Sequence, residues 1–190
     1  TLGIISFSTD PESRNDFGPY LDGFEAIPYN DLPALANALK DSNVAGFLVE
    51  PIQGEAGVNV PDAGYLEKAK QYCADANVLF IADEIQTGLS RTGKMLCCDH
   101  ENVRPDILIL GKALSGGTLP VSAVLADDEI MLTIKPGEHG STYGGNPLAC
   151  KVATTSLQVL RDENMAENAQ FLGELFRSEL TKLHSPHILK

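Results

Sequence analysis

Residues 107–117 read ILILGKALSGG: four branched aliphatic residues, a glycine, and then Lys112. A short apolar run of this kind is typical of a strand buried in a sheet. An ammonium group directly after such a strand needs a partner or a function, because it is strongly hydrated and costly to bury. The lysine therefore directs attention to the other residues that end apolar strands.

Helical segments and apolar strands alternate around this stretch. Residues 32–39 have helical apolar spacing and precede the strand GFLVE, and a second helix is predicted from about Tyr65, with Asp62 as its expected N-cap. The strand VLFIADE then ends in acids, PVSAVLA forms a later strand, and two long helices meet near residues 162–164. This order predicts an α/β fold: a mostly parallel sheet with helices on both faces.

Composition excludes several classes of protein. The chain of 190 residues has 26 acidic and 14 basic residues, a net charge of −12, and lacks a basic cluster, so nucleic acid is not an expected partner. No apolar run approaches the roughly 20 residues of a membrane-spanning helix. We therefore expect a soluble protein that binds neither nucleic acid nor membrane.

The cysteines and histidines indicate neither disulfides nor a metal site. The four cysteines have no CxxC spacing, which favours reduced thiols in an intracellular compartment. The four histidines are scattered, so no metal is expected. The residues are Cys73, Cys97, Cys98, Cys150, His100, His139, His184 and His187.

Ligands of open α/β sheets bind beyond the carboxyl ends of the parallel strands. The residues at these strand ends are Glu50, Asp83 with Glu84, and Lys112. A salt bridge between Asp83 and Lys112 is the simplest interpretation. The alternative is chemical: a lysine near apolar walls loses its proton readily and forms a Schiff base, and a carboxylate keeps the ring nitrogen of pyridoxal phosphate protonated.

A second glycine-rich segment could bind the phosphate of such a cofactor. The stretch GEHGSTYGGNP offers the hydroxyls of Ser141 and Thr142, together with backbone N–H groups, at the start of a helix. A simple helix-capping loop is the other interpretation. A third segment, GLSRTGKM, nearly fits the phosphate loop of nucleotide hydrolases, but Met95 stands where that loop needs a hydroxyl for Mg²⁺, so we reject an ATPase.

Three segments together resemble the class III pyridoxal-phosphate aminotransferases, whose large domain has fold type I: LFIADEIQTGLSRTGK, PDILILGKALSGG and HGSTYGGNPLAC. The resemblance implies that Lys112 forms the Schiff base with pyridoxal 5'-phosphate and then shuttles a proton. It implies that Asp83 pairs with the pyridinium nitrogen, that Ile85 packs on the ring, and that Gln86 binds the ring's phenolic oxygen.

The same resemblance implies a homodimer whose site is shared between subunits. In such enzymes, residues at the positions of Ser141 and Thr142 reach the phosphate of the neighbouring subunit's cofactor. Glu55, in QGEAG, matches an acid that holds a C-terminal arginine away from the first substrate and releases it for the second. A solvated loop acid is the alternative interpretation of Glu55.

Within the class, VEPIQGEAGVNVPDAGYL is most similar to members that act on ornithine, and several phrases are shared with members that act on N-acetylornithine. The implied reaction moves the δ-amino group of L-ornithine to 2-oxoglutarate and gives glutamate 5-semialdehyde and glutamate. The alternatives are an acetylornithine or other ω-amino acid aminotransferase, or a noncatalytic binding or scaffold module that retains the fold.

The resemblance also implies a domain organisation. Residues 1–190 correspond to the central part of the large, cofactor-binding domain, with an N-terminal segment and a C-terminal small domain outside the chain. We therefore expect the isolated chain to have little transaminase activity. The expected compartment is the cytoplasm or the mitochondrial matrix.

Overall fold

The structure is a computed structural model that describes residues 2–183; His184 and His187 lie outside the described residues. Four strands form one sheet: β1 (Gly46–Val49), β2 (Leu79–Asp83), β3 (Ile107–Leu110) and β4 (Ala123–Ala126). The α-helices are α1 (Leu2–Phe7), α2 (Pro11–Arg14), α3 (Leu32–Ala38), α4 (Tyr65–Asp75), α5 (Asp128–Met131), α6 (Pro147–Asp162) and α7 (Met165–Thr181). Two 3₁₀ helices follow β2 and β3: the cysteine turn (Cys97–Glu101) and the lysine turn (Lys112–Ser115).

The sheet has the order β1-β2-β3-β4. Strands β1, β2 and β3 are parallel, and β4 runs antiparallel to β3. The parallel strands are continuous apolar runs, as expected for strands that lie inside an α/β domain. The predicted fold class, a mostly parallel sheet with flanking helices, is confirmed.

The largest core cluster lies between the sheet and the amphipathic face of α4. Phe80 and Ala82 of β2 are fully buried against Ala69 and Cys73 of α4. Leu35 of α3, a helix that contacts α4, belongs to the same cluster. The apolar spacing of α4 therefore fixes the helix on the sheet by hydrophobic burial.

Asp106 ties three elements together at the amino edge of the sheet. Its carboxylate accepts hydrogen bonds from Lys70 Nζ, at 2.6 and 2.7 Å, and from the backbone N–H of Phe80, at 2.8 Å. The ammonium of α4, the backbone of β2 and the segment before β3 thus share one carboxylate. This arrangement leaves the opposite, carboxyl edge of the strands for other residues.

The expected N-cap of α4 is wrong. The helix begins after Gly64, which has a left-handed backbone, and Asp62 makes no side-chain cap. Instead the carboxylate of Glu101, from the cysteine turn, accepts the N–H groups of Gly64 and Glu67, both at 2.9 Å. A negative charge at a helix N-terminus also interacts favourably with the helix dipole.

The last two helices are divided where the sequence predicts. Helix α6 ends at Asp162, and α7 begins after Asn164, whose φ of 51° turns the chain. Helix α6 packs against the lysine turn, and its residues Ala153 and Leu160 contact the apolar cluster that contains Leu114. Among residues 2–183, no helix is both long and apolar enough to cross a membrane.

Candidate active site

The carboxyl edge of the parallel strands brings Asp83 and Lys112 to the same side of the sheet. Asp83 pairs in register with Ile109, and Lys112 follows two residues after β3 ends. The Asp83 carboxylate accepts the backbone N–H of Ile85 at 3.0 Å. Asp83 and Lys112, both within the described chain, form no ion pair with each other, so the simple salt-bridge interpretation is wrong.

The ammonium of Lys112 is held by Gln86 and lies near Glu55. Its Nζ atom donates to Gln86 Oε1 at 2.6 Å and lies 3.7 Å from Glu55 Oε1. The Lys112 side chain is 53% exposed and that of Glu55 is 89% exposed. The lysine is therefore accessible from solvent, and Glu55, predicted as a substrate residue, is brought to it.

Gly54 allows this contact because it lacks a side chain. A Cβ atom at Gly54 would lie 2.3 Å from Gln86 Nε2, far inside van der Waals contact. The carboxamide of Gln86 thus lies directly against the backbone of the loop that carries Glu55. The position of Gln86, and with it the hydrogen bond to Lys112, depends on a glycine here.

Carboxylates outnumber cations at this edge. The pKa of Glu50 is raised, first by burial and next by the nearby charge of Asp83; Glu55 adds to the rise and Lys112 opposes it. Among the described residues, three carboxylates, those of Glu50, Asp83 and Glu55, therefore lie around one ammonium group, that of Lys112. An additional positive group would be stabilised electrostatically here.

Ile85 and Gly111 pack closely beside the lysine. A Cβ atom at Gly111 would lie 3.2 Å from Ile85 Cγ2, so Ile85 rests directly on the residue that precedes Lys112. Ile85 is half-buried and lies two residues after Asp83 in the chain. Its apolar side chain therefore lies at the carboxyl edge of the strands, next to Gly111.

Glu84 has a structural function that the sequence did not show. It is fully buried, and its carboxylate accepts from Thr87 Oγ1 at 2.6 Å and from the backbone N–H groups of Cys97 and Cys98 at 3.0 and 2.8 Å. It therefore fastens the cysteine turn to the segment that carries Asp83 and Gln86. The only local signal for this bond network is the threonine three residues after the acid.

Ser141 and Thr142 lie on an exposed loop before α6. The Ser141 hydroxyl accepts the backbone N–H of Gly144 at 2.9 Å, and neighbouring Tyr143 is 81% exposed. Within residues 2–183, the hydrogen bonds of these two residues do not reach Asp83, Gln86 or Lys112. Their predicted contact with a cofactor phosphate across a dimer stays a prediction.

Comparison with known proteins gives the family. The sequence profile described as aminotransferase class-III matches residues 1–190. The chain belongs to the class-III aminotransferase family. This class-III chain is 67% identical over 185 residues to the mitochondrial ornithine aminotransferase of Rattus norvegicus, and 62% identical over 183 residues to that of Drosophila melanogaster. These matches cover 97% and 96% of the chain, respectively, and 42% of each relative.

Solved structures agree with this assignment. An ornithine aminotransferase from Toxoplasma gondii, described with partial occupancy of PLP at its active site, superposes with a TM-score of 0.98 at 54% identity and covers 100% of this chain and 45% of its own. An acetylornithine aminotransferase from Elizabethkingia anophelis gives a TM-score of 0.81 at 64% identity, covering 83% of this chain and 42% of its own. The class-III chain therefore spans less than half the length of the relatives it matches.

Proposed function

We propose that the full-length protein is a pyridoxal-phosphate-dependent aminotransferase that moves the δ-amino group of L-ornithine to 2-oxoglutarate. The observation that supports this most strongly is the strand edge itself. Lys112 extends its Nζ into an acid-rich edge, where it contacts an amide and a loop carboxylate, and Asp83 forms no ion pair with any residue that the structure describes.

The residues present fit pyridoxal phosphate. Lys112 Nζ is accessible for attachment to its aldehyde, the Asp83 carboxylate would hold a proton on its ring nitrogen, and the Gln86 carboxamide would donate to its phenolic oxygen. A protonated ring would offset the negative charge of Asp83, which adds to the effect of burial in raising the pKa of Glu50. When bound, the cofactor supplies an electron sink for the carbon from which a proton is removed.

Lys112 would act as the proton carrier of the reaction. When its Nζ amine is free, Lys112 would take a proton from the δ-carbon of the substrate and release it to the aldehyde-derived carbon of the cofactor. Gln86 Oε1, which accepts the free Nζ at 2.6 Å, would keep that amine at the edge of the sheet. Ile85 would shield the same edge from water with its apolar surface.

We further propose that the Glu55 carboxylate changes its partner between the two half-reactions. We also propose that the active unit is a homodimer. Glu55 lies on an exposed loop near Lys112, where its carboxylate is free to exchange partners between half-reactions. The exposed loop with Ser141 and Thr142 would reach the phosphate bound by a second subunit.

Ornithine is proposed over N-acetylornithine because the curated relatives at 62–67% identity are named ornithine aminotransferases. Since the chain covers 42% of their length, we propose that residues 1–190 are the central part of the large domain and that activity requires the full-length protein. The compartment is proposed to be the mitochondrial matrix or the cytoplasm, since two of these relatives are named as mitochondrial proteins.

The test is product analysis with the purified full-length protein. L-Ornithine and 2-oxoglutarate should give glutamate 5-semialdehyde and glutamate, Lys112→Ala should abolish both products, and Lys94→Ala, at an exposed loop lysine, should retain them. Preferred turnover of N-acetylornithine would contradict the substrate. Wild-type protein that binds pyridoxal phosphate without transferring any amine would support a noncatalytic module instead.

A further inference from the structure

The backbone of Lys112 is strained. Its φ angle is 39°, in the left-handed region that side-chain-bearing residues rarely adopt. Such conformations persist only where surrounding contacts hold them, and they concentrate at functional sites. The contacts that hold the lysine turn therefore influence the direction in which the Lys112 side chain extends its Nζ atom.

Several of these contacts come from the turn itself. Leu114 N–H donates to the Gly111 carbonyl at 2.9 Å, and Gly116 N–H donates to the Ala113 carbonyl at 3.0 Å. The hydroxyl of Ser115 donates to the Lys112 carbonyl at 3.0 Å. These bonds close the 3₁₀ turn, but they do not fix it relative to the rest of the molecule.

Ser156 supplies a contact from another element. Its hydroxyl, on α6, donates to the Ala113 carbonyl at 3.1 Å, across 43 residues of sequence. Helix α6 also packs on the turn, and its residues Ala153 and Leu160 contact the apolar cluster that contains buried Leu114. The apolar contacts set the distance between helix and turn, whereas the hydrogen bond restricts the rotation of the turn's backbone just after Lys112.

We propose that Ser156 is a positioning residue for Lys112: its hydroxyl holds the turn in the left-handed conformation that points Nζ at Gln86. Without this bond, the backbone after Lys112 is free to rotate and the φ angle to relax, which moves Nζ away from Gln86 Oε1. The importance of Lys112 rests on the proposed function, but its conformation does not.

The experiment measures the reactivity of Lys112 in the cofactor-free, full-length protein. An amine-acylating reagent is applied briefly, and the labelling rate of each lysine is read by peptide mass spectrometry. Ser156→Ala should raise the labelling rate of Lys112 by about fivefold, the population change expected for one lost hydrogen bond. Lys70, paired with Asp106, reports an intact fold and should keep its wild-type rate.

Two further variants separate positioning from general effects on α6. Ser156→Thr keeps the hydroxyl and should restore the wild-type labelling rate. Thr154→Ala removes a hydroxyl that bonds within the same helix, to the Cys150 carbonyl at 2.8 Å, and should leave the rate unchanged. An unchanged Lys112 rate in Ser156→Ala, or an equal rise in Thr154→Ala, would overturn the proposal.

A second readout uses the protein loaded with pyridoxal phosphate. Ser156→Ala should shift the pH midpoint of the visible band of the lysine adduct by about half a unit or more. An unshifted midpoint would count against the proposal. A wild-type protein that forms no adduct would refute the proposed function, and the labelling rates would still decide the role of Ser156.

Discussion

Replacing Glu84 with glutamine should weaken the hydrogen bonds that hold the cysteine turn to the segment carrying Asp83 and Gln86. The free energy of unfolding should fall by about 2–4 kcal/mol. The carboxylate accepts three hydrogen bonds in a fully buried position, from Thr87 and from the N–H groups of Cys97 and Cys98. Glutamine keeps one oxygen and replaces the other with an amide donor. The change is nearly isosteric, so it alters bonding with little change in packing.

The magnitude follows from the best orientation available to glutamine. If the glutamine oxygen keeps the hydrogen bonds from Thr87 and Cys97, the glutamine NH₂ group faces the N–H of Cys98. Both of these groups are donors, so no hydrogen bond forms between them. Losing one charge-assisted bond costs about 1.5–3 kcal/mol, and the buried unpaired N–H costs about 1–3 kcal/mol more. Removing a buried charge offsets part of this sum, which leaves about 2–4 kcal/mol.

The assay is urea unfolding of the cofactor-free protein together with amide hydrogen exchange at Cys97 and Cys98. A loss of about 2 kcal/mol should speed exchange at these amides roughly 30-fold. Glu25→Gln, at an exposed glutamate, is the matched control and should change neither measurement. Wild-type unfolding and exchange in Glu84→Gln would show that the buried carboxylate does not fasten the cysteine turn.

Two further predictions concern thiols and pH. At neutral pH, a thiol reagent should modify exposed Cys150 in the native protein and all four cysteines in urea. The other three thiols are buried, and burial raises the pKa of Cys73 to about 11, raises that of Cys97 to about 12, and raises that of Cys98 as well. Faster native labelling at a buried cysteine would contradict this. The raised pKa of Glu50 means that the folded protein favours the protonated side chain. The contribution of Glu50 to the free energy of unfolding is therefore fully present below the ordinary pKa of 4.5 and is lost as pH rises through the raised pKa. Glu50→Gln should therefore gain stability over wild type across that rise in cofactor-free urea titrations, and a difference independent of pH would refute it.

Structural elements that are specified by neighbouring residues in the chain could be predicted from the sequence. Apolar runs located β2 and β3, and the parallel direction expected for both strands put Asp83 and Lys112 at one edge of the sheet, where they lie. Loop residues Glu55 and Gln86 followed from the family resemblance, and the structure places both at Lys112.

Hydrogen bonds between residues far apart in the chain could not be predicted from local sequence patterns. The cap of α4 was assigned to Asp62, two residues before the actual N-cap, because the real partner, Glu101, lies 37 residues from Gly64. Ser156 likewise acts across 43 residues and has no signature of its own within α6. Such bonds depend on how packed elements meet, which hydrophobic spacing does not specify.

Covalent trapping decides whether Lys112 carries the cofactor. Full-length protein is incubated with pyridoxal phosphate, reduced with borohydride, digested and analysed by mass spectrometry. The predicted result is one phosphopyridoxyl group on Lys112, loss of the visible band in Lys112→Ala, and weakened loading in Asp83→Asn. Modification spread over several lysines, with the band retained in Lys112→Ala, would contradict the assignment of this strand edge as the active site.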